Sequence, residues 1–189
     1  MPLTPAGLTA ALTTNLFAAG NIGMKTPQLA AGIAAGVMIW NSTLKVTTVD
    51  AGSLGVGKGF LPCVIPQPLL LVGLLGGLAS TGNVGVRLPL LALGVANGLA
   101  LGFPQGIIMT THPTVGTGMG VAKFLGTSAV AGMISGFASV GMVGPGPSKM
   151  ATGIGIGIDT AFAAFTCPVP IVGSASPSAS GGTGFGAIV

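Results

Sequence analysis

The sequence predicts a mainly α-helical protein with short β arms, built as three tandem helical hairpins packed through glycines. Three observations carry that expectation. A Gly-x-x-Gly turn occurs three times, apolar residues at four-residue spacing precede each copy, and a pair of glycines four apart follows it.

The turn is Gly20-Asn21-Ile22-Gly23, then Gly82-Asn83-Val84-Gly85, then Gly141-Met142-Val143-Gly144, at separations of 62 and 59 residues. Ahead of the turns stand Leu8, Leu12 and Leu16, then Leu70, Leu74 and Leu78, then Ala129, Met133 and Phe137. That spacing marks one face of a helix. The first helix of each hairpin ends at the glycine, which takes a positive φ without a Cβ penalty. Pro27 and Pro89 follow four residues after the second glycine, where proline suits the first turn of a second helix. In the second helices Gly32/Gly36, Gly94/Gly98 and Gly153/Gly157 share a face and allow a close backbone approach. The hairpin itself is therefore expected to close through small residues.

After the second helices come β-favouring stretches at residues 44–49 and 107–111, read as short strands or extended arms. Gly-x-Gly-x-Gly then recurs at residues 55–59, 116–120 and 182–186, and with the Pro-rich run 61–68 it reads as a connector that lets units shift. The expected units are 1–60, 61–122 and 123–189.

Half of the chain is hydrophobic and 4% is charged, a several-fold depletion that excludes disorder and leaves little to hold an isolated monomer in solution. The cations Lys25, Lys45, Lys58, Arg87, Lys123 and Lys149 are spread singly, which argues against specific nucleic-acid binding. Cys63 and Cys167 lack metal-ligand neighbours and read as buried thiols, so neither a metal nor a cofactor is expected. The glycine runs lack the strand, helix and acid of a dinucleotide fingerprint, and Lys58 is followed by Gly59, not by a Walker Ser or Thr. His112, the one imidazole, has only Asp50 and Asp159 as conceivable acidic partners, and no nucleophile elbow exists. No catalytic residue is assigned, and no enzyme activity is expected. Lys25 and Arg87 occupy matching turn positions, with Gly146 in the third; the simplest reading is a cation at a helix carboxyl end, and a salt bridge to Asp50 or Asp159 of a neighbouring subunit is the other. The N-terminus lacks the basic region of a secretory signal, so residence without export is expected.

So apolar a surface needs a cover of lipid or protein. Uncharged runs of 28 residues before Arg87 and 35 after it are long enough to span a bilayer. Pro62, Pro66, Pro68, Pro89 and Pro104 cut them short, and non-helical backbone facing lipid is costly. A protein cover meets fewer objections, because obligate interfaces resemble a domain core cut in half.

The opening Met1–Ala11, the turn Gly20–Gly23, the run Pro27–Ile33 and the close Val49–Gly59 resemble small repeated virion structural proteins of tailed bacteriophages. The resemblance spans nearly the whole chain. It implies a non-enzymatic structural part of the particle, in the tail or baseplate, whose partners are other virion proteins. The alternatives are a glycine-packed membrane or membrane-active protein, and a capsid decoration or cement protein. Met142 at the turn Asn and Ser148 at the helix Pro depart from the pattern, so the third unit is expected to pack differently.

Overall fold

The computed structural model describes residues 3–41, 45–51, 56–60, 67–102, 107–111, 118–125, 129–163, 166–172 and 182–187, with side chains for 3–39, 68–102 and 129–163. Its described part is mainly helical. Six helices run in three antiparallel pairs: α1 (Pro5–Ala18) with α2 (Thr26–Asn41), α3 (Gln67–Ser80) with α4 (Leu88–Gly102), and α5 (Ala129–Ser139) with α6 (Pro145–Ala163).

Each helix has a local cause. Thr4 caps α1 by accepting the Gly7 amide on its hydroxyl at 3.1 Å, and Pro5 sits at the first helical position, where its missing N–H costs nothing. The first helices stop identically. Gly20, Gly82 and Gly141 have φ of 84°, 79° and 74°. Each donates its amide to the carbonyl three residues back, and the next residue's amide reaches Leu16, Leu78 or Phe137 at 2.9–3.0 Å. This pair of bonds is the Schellman termination, which satisfies carbonyls the helix leaves open. Proline at the second helical position then starts α2 and α4. In the third hairpin Pro145 directly follows Gly144, so α6 begins two residues earlier relative to the turn and runs for 19 residues.

The helices form a closed ring in which each touches its chain neighbours and α6 returns to α1. The core is the ring's centre. Leu8, Leu12, Leu16, Leu70, Leu74, Leu78, Met133 and Phe137 are buried there with Ile33, Val37, Val95, Leu99, Ile154 and Ile158 from the second helices. At roughly 1.5–3 kcal/mol per fully buried large apolar side chain, this cluster is the main favourable term holding the ring.

The paired glycines of the second helices face the next hairpin, not their own, whereas Gly155 of α6 faces its own partner α5, where a Cβ would lie 2.5 Å from the Val130 Cα. A Cβ on Gly36 would lie 2.6 Å from the Leu74 Cα, and one on Gly32 2.8 Å from the Leu78 Cα. On Gly98 it would lie 2.7 Å from the Met133 Cα, and on Gly157 2.8 Å from the Leu12 Cα. The expectation that the paired glycines close their own hairpin is thus corrected. Small residues seal the joints between hairpins, and in the third hairpin Gly155 also brings the pair itself together. Gly73 and Gly77 on α3, and Gly132 and Gly136 on α5, complete the seams from the other side. Helix α1 has Ala11 and Asn15 at the matching places, and α6 packs on it less closely.

Six strands are described by their backbone: β1 (Lys45–Ala51), β2 (Val56–Phe60), β3 (Ile107–Thr111), β4 (Gly118–Leu125), β5 (Thr166–Val172) and β6 (Gly182–Ala187). They are not free arms. They pair antiparallel in chain order, and β6 returns to β1, so the sheet closes as a barrel. The glycine runs expected as connectors lie, where described, inside β2, β4 and β6. Register puts Gly57, Gly59, Gly118, Gly120, Gly182, Gly184 and Gly186 on one face of the sheet. Glycine on alternate strands suits closure of only six, because barrel diameter falls with strand number. Pro168 and Pro170 cannot donate to a ladder, and β5 meets β6 only at Ile171 and Val172. Strand β4 runs through the unit junction expected at 122/123. Gly55, Gly116, Cys63, His112 and most of the Pro-rich run lie outside the described residues.

Candidate functional site

Alternation of helix direction brings the three Gly-x-x-Gly turns to one end of the ring, opposite the end that leads into the strands. Between them lies a depression of about 490 Å³. Its floor is apolar, with Leu88, Leu91 and Met150, and its walls carry Asn21, Asn83, Lys25 and Arg87.

The turns are held by their own hydrogen bonds. Thr26 Oγ1 donates to the Asn21 carbonyl at 2.9 Å, and Asn21 Nδ2 donates to the Leu16 carbonyl at 3.3 Å. Asn83 Nδ2 donates to Thr81 Oγ1 at 2.9 Å and across the α2/α3 seam to the Gln28 carbonyl at 3.2 Å. Met142 replaces the turn asparagine in the third hairpin and packs against the core instead. Gly85 and Gly144 have φ of 148° and 110°, and Gly23 stays outside the positive range.

With the backbone so fixed, the tips project apolar side chains into solvent. Met24 is 99% exposed, Val86 97%, Ile22 84%, Val84 80% and Val143 72%. Lys25, Arg87 and Lys149 are exposed beside them. A Cβ on Gly20 would lie 3.8 Å from Lys149 Nζ, so this lysine of α6 reaches the carboxyl end of α1, where the helix dipole favours a cation. Lys149 stands outside the register of Lys25 and Arg87, and sequence spacing did not associate it with them. The other three cations, Lys45, Lys58 and Lys123, lie in strands.

Asp159 lies fourteen residues along α6 from Pro145, about 21 Å away by helical rise, so no pairing with the turn cations occurs within the chain. It is 8% exposed, and neither carboxylate oxygen has a hydrogen-bond partner among the described residues. Burial pushes its pKa from 3.8 up to about 6, against a smaller opposing pull from the Ala129 amide at the start of α5. The folded chain therefore holds this proton more tightly than the unfolded chain does. Stability is expected to fall as pH rises through this interval, by on the order of 2–3 kcal/mol once the carboxylate is fully ionised. Asp159→Asn should remove that slope and raise the melting temperature at about pH 8 while changing little near pH 4. Thermal melts across pH check this, and an unchanged slope would refute it.

Among the described residues, no group of three or more His, Cys, Asp or Glu could hold a metal ion. No described helix is long and apolar enough to cross a membrane. Comparison with family models, curated proteins and solved structures finds no match for the chain.

Proposed function

We propose that the chain is a non-enzymatic structural subunit of a tailed-phage virion, placed in the tail or baseplate among other virion proteins. We infer also that it is three tandem copies of one unit, each a helical hairpin followed by two strands. The observation that carries both is double closure: the helices and the strands each return to their start after three repeats of the same step. A single chain with such pseudo-threefold form suits a place on a threefold or sixfold axis, where each copy of the unit presents a similar face to a symmetric partner.

The outer wall supports a life inside an assembly. Val72 is 68% exposed, Leu101 50%, Ile39 48% and Ile134 43%, and the described helices and their turns carry only three cations and one acid to balance them. Exposed apolar side chains with so little charge among them suit a surface that other subunits cover.

The test is to purify virions, separate heads from tails, and quantify the chain by mass spectrometry. It is expected with tails at a fixed copy number. Segregation with heads would move it to a capsid decoration role, and absence from particles would end the virion reading.

A further inference from the structure

We propose that the three-turn end is a docking surface for an anionic lipid bilayer, entered only to headgroup depth. The inference rests on the fold and not on the virion reading, and it stands or falls separately.

Ile22, Val84 and Val143 hold the same turn position on the three tips, Met24 and Val86 hold a second position on two of them, and Val84 also lines the depression. They are not needed for the turns, whose geometry is set by backbone bonds and positive-φ glycines. Side chains this exposed contribute little to folding. Arranged as a tripod, they match a flat boundary between water and an apolar phase.

The charge is one-signed. Lys25, Arg87 and Lys149 are exposed at this end. The only acids of the chain are Asp50, in β1, and Asp159, in the far half of α6. The surface that covers this end must therefore accept apolar side chains and supply negative charge. A second copy docked tip to tip would set cations against cations. A nucleic acid would leave the apolar tips against phosphate. An anionic bilayer meets both demands: tips enter the acyl boundary, while cations stay at phosphate level, and the depression, with its apolar floor and cationic walls, can receive a lipid headgroup. The Asn83–Gln28 bond and the three terminations hold the tips before contact, so little ordering is needed on docking.

The experiment is vesicle flotation of the full chain, synthesised cell-free in the presence of either phosphatidylcholine vesicles or the same vesicles containing phosphatidylglycerol. The chain is expected to float with the anionic vesicles and to be released by salt, since surface charge attraction is screened. Replacing Lys25, Arg87 and Lys149 together by Gln should lower vesicle affinity by roughly a hundredfold, at about fivefold per cation. Replacing the five tip residues by Ser should abolish flotation without unfolding the chain, because none of them is buried. Val72→Ser, on the exposed wall of α3, should change nothing. Equal flotation on both vesicle types, or flotation that survives the five Ser replacements, would overturn the proposal. So would failure to float on either, which would leave an acidic protein surface as the occupant.

Discussion

Gly136→Val is expected to abolish the folded helical ring. A Cβ on Gly136 would fall on the Gly98 amide nitrogen and the Gly94 carbonyl, with the Gly98 Cα 2.7 Å away. All three are backbone atoms of α4, and no rotamer change can move them. Alanine alone would force α4 and α5 apart. Valine adds two further carbons, and the separation would open the core at Phe137 and Met133, which are buried in that joint. Overpacking against rigid backbone plus lost burial amounts to more than about 4 kcal/mol, a large share of the 5–15 kcal/mol that typically holds a domain. Gly76→Ala provides the contrast. Nothing lies within 4 Å of a Cβ at that position of α3, so the change should stabilise by about 0.5–1 kcal/mol through helix propensity. Helical circular dichroism against denaturant separates the two. A Gly136→Val chain as stable as the parent would show that the α4/α5 seam is misplaced.

The seam also marks where sequence reading ran out. Leu8, Leu12 and Leu16 and their counterparts were legible as buried faces because four-residue spacing maps onto a helix face without knowledge of the partner. The glycine ends of α1, α3 and α5 were legible because a left-handed cap is a local requirement. What the second-helix glycines touch was not, since spacing names a face and not its neighbour. Gly73, Gly77, Gly132 and Gly136 stand one residue before the apolar columns at Leu74, Leu78, Met133 and Phe137. In a chain with 35 glycines that signal was visible but indistinct. The strands misled for a related reason. Glycine at alternate positions is a loop signal by composition and a single sheet face by period two, and only ring closure chooses between them. The turn end was legible in its parts, Lys25 and Arg87 at matching positions, but not as a site. Lys149 enters from another register, and convergence of the three turns follows from alternating helix direction together with closure of the ring.

Phe137 tests how closely each joint is fitted. It stands where the other hairpins have Leu16 and Leu78, and with Phe162 it is one of the two largest fully buried side chains of the ring. Gly94 makes room for it: a Cβ there would lie 2.8 Å from the ring Cδ1 and 3.3 Å from Cε1, with Val140 Cγ2 next at 3.3 Å. Phe137→Ala should therefore cost about 3–5 kcal/mol through lost burial and an unfilled cavity. Phe137→Leu, which restores the residue of the other two columns, should cost only about 1 kcal/mol. The pair should be coupled. Gly94→Ala alone should destabilise by about 1–3 kcal/mol against the aromatic ring. In the Phe137→Leu background it should be close to neutral, because the obstacle is gone and alanine favours the helix, giving a coupling energy of about 2 kcal/mol. Gly98→Ala behaves differently. Its Cβ would meet the Met133 Cα at 2.7 Å, so no substitution at Met133 can relieve it. Denaturant melts of the two single variants and the double variant decide the matter. Additive costs at Gly94 and Phe137, or rescue of Gly98→Ala by Met133→Leu, would show that side-chain fit and backbone contact have been assigned to the wrong glycines.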